Sequence, residues 1–212
     1  MPVLRLAGKH GTLGTATWQS IGPYSIGGRV SCIATHPTDS NTFYAGAAAG
    51  GLWRTTDHGK SWRCLTDTFS MPATGSVVVD PVDPNTIYLG TGEPNGSADC
   101  YPGNGLWKTT DAGASWRSLG FTASQYIGKI LMDPTNHNNL WVAIPGPNSM
   151  TDTNRGLFHS TDAGATWTRS LYVVLPSKTH TSDTVLSVID VAMDPANPRN
   201  LLAFVWDHSM PF

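Results

Sequence analysis

Short runs of apolar and β-branched residues alternate along the chain with clusters of Pro, Asp, Asn, Ser and Gly, and no window keeps apolar residues at helical spacing. Arg29 to Thr35 (RVSCIAT) alternates and is rich in branched residues, which predicts a strand. The Pro37 to Asp39 cluster after it is turn chemistry. Thr42 to Ala45, Leu52 to Thr55 and Trp62 to Leu65 predict three further strands, divided by the glycine stretch Gly46 to Gly51 and by the turn Asp57-His58-Gly59.

This four-strand unit recurs. The octets Thr55 to Trp62 (TTDHGKSW), Thr109 to Trp116 (TTDAGASW) and Ser160 to Trp167 (STDAGATW) lie 54 and then 51 residues apart. Each follows a Gly-apolar-aromatic step: Gly51-Leu52-Trp53, Gly105-Leu106-Trp107 and Gly156-Leu157-Phe158. A second string sits upstream in each unit, at His36-Pro37, Asp80-Pro81, Asp133-Pro134 and Asp194-Pro195, followed by apolar pairs such as Phe43-Tyr44 and Ile87-Tyr88. These strings define four repeats, the last cut short. Units of roughly 40–50 residues with four short strands are blades of an all-β propeller, since solenoid units are generally shorter or helical.

The octets match the Asp-box of the bacterial neuraminidase repeat, and the chain from Trp18 to Trp206 resembles Asp-box β-propellers of the sortilin-like and glycosyl-hydrolase-like superfamily. The resemblance implies antiparallel four-stranded blades in which the Asp-box is the hairpin between the third and fourth strands. Asp57, Asp111 and Asp162 would then accept turn amides, Gly59, Gly113 and Gly164 would take the turn's special dihedrals, and Trp62, Trp116 and Trp167 would pack between blades.

Thr17-Trp18-Gln19-Ser20-Ile21 echoes the fourth strand of the later units. Residues 1–16 are accordingly read as an N-terminal extension and 17–26 as the outermost strand of an otherwise missing blade. Blade 1 is expected over 27–67, blade 2 over 68–120, blade 3 over 121–174 and an incomplete blade 4 over 175–212. About three and a half blades are a partial propeller, because closure typically takes at least four and often six to eight. Either the chain is a segment of a larger ring, or copies of a short protein associate through their open blade edges.

Composition narrows the partners. A net charge of -2, with thirteen Lys and Arg scattered singly, excludes the basic clustering that nucleic acid needs. No apolar stretch approaches a membrane span. Residues 1–10 have no apolar core of signal-peptide length, whereas the resemblance implies an extracellular or periplasmic location. Cys32, Cys64 and Cys100 are too far apart for Cys-x-x-Cys metal chemistry, and the seven histidines form no His-x-x-x-His pair. No cofactor or metal is expected. Gly59-Lys60-Ser61 and Gly90-Thr91-Gly92 lack the remaining glycines of phosphate-binding fingerprints.

Function in propellers gathers at the mouth where the loops between second and third strands meet those linking blades. Here these are Ala45 to Gly51, Thr91 to Gly105 and Ile144 to Gly156 within blades, and Tyr24 to Arg29, Thr68 to Thr74, Thr122 to Tyr126 and Pro176 to Thr184 between them. Arg29, Glu93, Asp99, Tyr101, Asp152 and Arg155 are the ligand-binding candidates. Glu93 and Asp152 are also the carboxylate pair to test for glycoside hydrolysis, which uses two carboxyl groups roughly 5–10 Å apart.

In xyloglucan-type endoglucanases the first blade carries Tyr-Ala-Arg-Thr-Asp-x-Gly-Gly with that Asp catalytic. Tyr44 to Gly51 reads YAGAAAGG, so Ala48 stands in its place. Gly28-Arg29-Val30-Ser31 only partly resembles the Arg-Ile-Pro opening of sialidases. The expected role is therefore non-catalytic recognition of glycan or protein at the loop-bearing face. The alternative is a glycoside hydrolase, sialidase-like or xyloglucanase-like, incomplete in this chain, and the second alternative a scaffold or assembly factor.

Overall fold

The computed structural model describes residues 28–95, 100–146, 154–175, 184–194 and 196–206. The echo strand expected over 17–26 lies outside them. The first four-stranded sheet comprises β1 (Val30–Thr35), β2 (Phe43–Ala47), β3 (Gly51–Thr55) and β4 (Arg63–Cys64). The second comprises β5 (Thr74–Val79), β6 (Ile87–Thr91), β7 (Leu106–Thr109) and β8 (Arg117–Gly120). The third is built from β9 (Lys129–Met132), β10 (Leu140–Ile144), β11 (Gly156–Ser160) and β12 (Thr168–Leu171). A short pair, β13 (Val174–Leu175) with β14 (Thr184–Val185), precedes a two-stranded unit of β15 (Ser187–Asp194) and β16 (Asn197–Trp206). Every sheet is an antiparallel meander, and the whole is a partial propeller of about three and a half blades. Among the described residues no helix is long and apolar enough to cross a membrane.

The strands differ from expectation at their edges. The run Trp62 to Leu65 pairs only over Arg63–Cys64, and Gly46 and Gly51 belong to β2 and β3, so the glycine stretch divides strands over 48–50 alone.

The core is a set of slabs between neighbouring sheets, because each second strand feeds two of them. Ile87 and Leu89 of β6 pack back on Tyr44, Leu52 and Leu65 of the first sheet, whereas Tyr88 between them points forward into the slab with Ile130, Leu140, Val142 and Ile144. Trp141 and Ala143 of β10 likewise point forward onto Val188 and Val191. Side chains alternate faces along a strand, so a strand buried on both faces reads as a continuous apolar run such as LWVAI. Leu52, Ile87, Leu89, Leu106, Leu140 and Ile144 are wholly buried. Each such side chain stabilises the fold by roughly 1.5–3 kcal/mol.

Sheets approach most closely at their inner ends. A Cβ on Gly75 would stand 2.2 Å from the Ile127 carbonyl and 2.5 Å from that of Gly92, and one on Gly46 would meet Cys32 and Thr74. The inner strands β1, β5, β9 and β15 thus lie side by side around one axis.

Candidate functional site

The octet turns form one side of each sheet. Asp57 Oδ1 accepts the Ser61 amide at 2.9 Å and the Thr55 hydroxyl at 2.8 Å, and Oδ2 accepts the Ser61 hydroxyl at 2.6 Å. Asp111 does the same with Ser115 and Thr109, and Asp162 with Thr166 and Ser160. The Ser61 hydroxyl, then its amide and the Thr55 hydroxyl, hold the Asp57 carboxyl at about 2. Asp111 and Asp162 are held at about 2 by the Ser115 and Thr166 hydroxyls first. Their oxygens are committed to their own turns, which leaves them no reach toward a ligand.

The residue after each of these aspartates, His58, Ala112 and Ala163, is left-handed, and its amide donates to Asn41, Asn85 and Asn138 in the loop between first and second strands. Trp116 and Trp167 lie partly buried between sheets; Trp116 Nε1 donates to the Leu65 carbonyl of the preceding sheet. Trp62 is 40% exposed and meets Phe43 edge-on.

At the opposite end stand the loops between second and third strands. Arg29 Nη2 donates to Glu93 Oε2 at 2.9 Å, and Asn95 Nδ2 donates to Oε1 at 3.0 Å. Glu93 is 1% exposed, and its amide donates to the Tyr101 carbonyl at 2.9 Å. A buried carboxylate engaged at both oxygens joins the first sheet to the second. Tyr101 is exposed.

Arg155 is the departure: read as a mouth residue, it is 1% exposed. Its Nη1 donates to Ser187 Oγ at 2.9 Å, and that hydroxyl donates to the Pro145 carbonyl, so Arg155 fastens the third sheet to β15. Asp99 and Asp152, and with them the Glu93–Asp152 separation, lie outside the described residues. Ala48 is buried, its amide donating to the Arg29 carbonyl at 3.0 Å.

The inner strands enclose a cleft of about 540 Å³ that runs from β1 across β5 and β9 to β15. One residue of each inner strand lies at the same place in its repeat, four before the Pro-containing string: Cys32, Ser76, Lys129 and Asp190. Ser76 Oγ accepts the Ile130 amide, and burial pushes the Cys32 thiol up, away from thiolate chemistry. Lys129 and Asp190 are exposed to the cleft, with Asn95 and Trp206 also lining it. Among the described residues Asp190 is its one carboxylate. Sequence reasoning passed over Lys129 and Asp190, although their shared position before each string was a readable signal.

Comparison with known proteins was made on both sequence and structure. The xyloglucanase Xgh74A of Acetivibrio thermocellus is 27% identical over 211 residues, covering 87% of this chain and 24% of that protein. A xyloglucanase of a Paenibacillus species is 27% identical over 189 residues, covering 80% and 18%. The chain thus spans about a quarter or less of the length of the curated relatives it matches. Two solved structures share the fold: an ancestral GH74 enzyme (TM-score 0.58, 21% identity, 84% of this chain and 22% of that one) and the Niastella koreensis GH74 enzyme (0.59, 22%, 81% and 24%). The expectation of a non-catalytic recognition module is corrected by the two xyloglucanases, which are glycoside hydrolases by name and favour the hydrolase alternative. Residues 50–175 match the family described as Sortilin-Vps10 (sortilin, neurotensin receptor 3), and with more than half of its length so matched the chain belongs to the Sortilin-Vps10 family.

Proposed function

We propose that the chain is a segment of a xyloglucanase-type glycoside hydrolase and forms part of its glycan cleft. The observation that carries this reading is the kinship to xyloglucanases along most of the chain. The polar cleft along the inner strands supports it. A sugar chain offers hydroxyl groups and apolar ring faces. Lys129 and Asn95 supply donors, Asp190 an acceptor, and Trp206 an aromatic surface. Such a substrate is polymeric and is met outside the cell, in line with an extracellular or periplasmic location.

Ala48 has no ionisable group, so no proton transfer starts there. Among the described residues Asp190 is the cleft carboxylate placed to act on a bound glycan, as the general acid or base opposite a second carboxyl group from elsewhere in the enzyme. The test is reducing-end release from xyloglucan by the protein in its full natural length, against a β-glucan without side chains. Hydrolysis of xyloglucan is expected, with Asp190→Asn lowering kcat by about 10²–10⁴-fold. A protein that cleaves neither polymer sinks the hydrolase reading; a fully active Asp190→Asn sinks the assignment of Asp190 alone.

A further inference from the structure

A second groove, of about 370 Å³, lies between the first and second sheets on the side away from the inner strands. Both of those sheets have all four strands, so finished blades bound it on each side. It runs from the octet turn of the second sheet, at Ser115 and Trp116, to Asn104 in the loop between β6 and β7. Phe69, from the link between β4 and β5, and Trp107 of β7 wall it. The Phe69 ring centre lies 4.7 Å from that of Trp107 and 6.0 Å from that of Trp116. Both indole nitrogens are already engaged, Trp107 Nε1 donating to Asn104 Oδ1 at 2.9 Å and Trp116 Nε1 to the Leu65 carbonyl at 3.2 Å. The aromatic groups therefore offer a ligand ring surface alone. An indole N–H can only donate, so the Asn104 oxygen must face Trp107, and its amide nitrogen is left as a donor. Thr68 and Ser70 add exposed hydroxyl groups. Among the described residues none that lines the groove is charged.

The third sheet repeats this aromatic arrangement and covers it. Phe121, from the link after β8, meets Phe158 of β11 at 4.9 Å and the octet Trp167 at 5.5 Å. Arg169, directly opposite Phe158 on β12, lays its guanidinium over the Phe158 ring at 5.1 Å and over the Tyr172 ring at 4.5 Å. Phe158 is buried. In the second sheet the residue opposite Trp107 on β8 is Ser118, and Trp107 is half-buried. Serine is too short to lie across an indole. The ring that the protein covers for itself in the third sheet thus stands open in the second.

We infer that this groove is a second glycan-binding site, separate from the cleft of the inner strands, which takes a short stretch of a neutral pyranose chain. A pyranose with equatorial hydroxyl groups has two apolar C–H faces and a polar edge. The faces stack on Phe69, Trp107 and Trp116, and the edge meets the Asn104 amide and the Thr68 and Ser70 hydroxyls. A charged ligand gains nothing there, since the lining is neutral and Asp111, beside Ser115, is closed on its own turn. The volume lies at the small end of the roughly 300–1,000 Å³ of ligand sites, which suits a few sugar units and no more. This site goes beyond the hydrolase reading and does not depend on it.

The test labels the eight tryptophans with fluorotryptophan and titrates the protein with cellotetraose, a neutral β-linked glucose oligomer, followed by fluorine NMR. Trp107 and Trp116 report this groove and Trp206 the inner cleft, each line assigned by its loss in the Trp→Phe variant. The Trp107 and Trp116 lines are expected to shift saturably with one shared Kd. Ser118→Arg, at an exposed position, gives Trp107 the cover that Arg169 gives Phe158, and should weaken that Kd by about tenfold or more while leaving the Trp206 response unchanged. Ser118→Ala should bind as the parent does. Trp107 and Trp116 lines that stay still, or a Ser118→Arg protein that binds as tightly as the parent, overturn the proposal. Movement of Trp206 alone overturns this site and leaves the cleft reading standing; movement of Trp107 and Trp116 alone supports this site and counts against the cleft.

Discussion

Thr74 joins the first two sheets at their inner ends and sits wholly out of solvent. Its hydroxyl donates to the Ala47 carbonyl at 2.8 Å and lies 3.1 Å from Ser31 Oγ, which is itself within 3.0 Å of the Gly46 carbonyl and 2.8 Å of the Thr74 carbonyl. Thr74→Val replaces that hydroxyl with a methyl group of nearly the same shape, so packing is preserved and the change is electrostatic. It strips a donor from a buried acceptor, which costs about 1–3 kcal/mol. For a chain of this length each kcal/mol moves the melting temperature by about 2–4 °C. Thr74→Val is therefore expected to melt about 2–12 °C lower in thermal unfolding followed by circular dichroism, with the urea m-value unchanged. Thr74→Ser keeps the donor and loses only a methyl group, so it should lie between parent and Thr74→Val. Ser31→Ala combined with Thr74→Val should cost less than the two separately, since both act in one network. A Thr74→Val protein within about 1 °C of the parent, or more stable than Thr74→Ser, refutes the view that this hydroxyl fastens the two sheets.

Three further perturbations probe the frame. Asp57, Asp111 and Asp162 titrate at about 2, below the ordinary 3.8, so their contribution is complete above pH 3.8 and is lost as pH falls through about 2. Carboxylate NMR midpoints near 3.8 would contradict the turn geometry. Gly75→Ala drives a Cβ into two carbonyl oxygens that cannot move without shifting a sheet, and should cost about 1–3 kcal/mol or more, whereas Gly28→Ala meets open space and should leave chemical denaturation unchanged. Leu140→Ala empties the slab between second and third sheets and should cost about 2–5 kcal/mol by urea titration; a loss under about 1 kcal/mol would mean that Leu140 is not the core residue its burial makes it.

Strand and turn positions were legible because their chemistry is local: an octet turn is closed by atoms at most four residues apart, as Asp57 and Ser61 show. What was not legible depends on residues far away in the chain. Arg155 reads as a ligand-binding residue of the mouth until Ser187, from the next unit, supplies its partner. Glu93 reads as a free mouth carboxylate until Arg29, 64 residues earlier, closes on it. The cleft face was hidden for another reason. The register slips between Thr74 and Ser76 and between Val188 and Asp190, and each slip breaks the alternation by which a sequence reports which side chains face inward.

That cleft position, shared by Cys32, Ser76, Lys129 and Asp190, separates chemistry from architecture. The slabs that hold the sheets together draw mainly on other positions, and the octet turns close on atoms of their own. Lys129 and Asp190 already differ by a full reversal of charge on neighbouring strands of the same fold. A surface of this kind can exchange one ligand class for another by single substitutions, while the frame that presents it stays fixed.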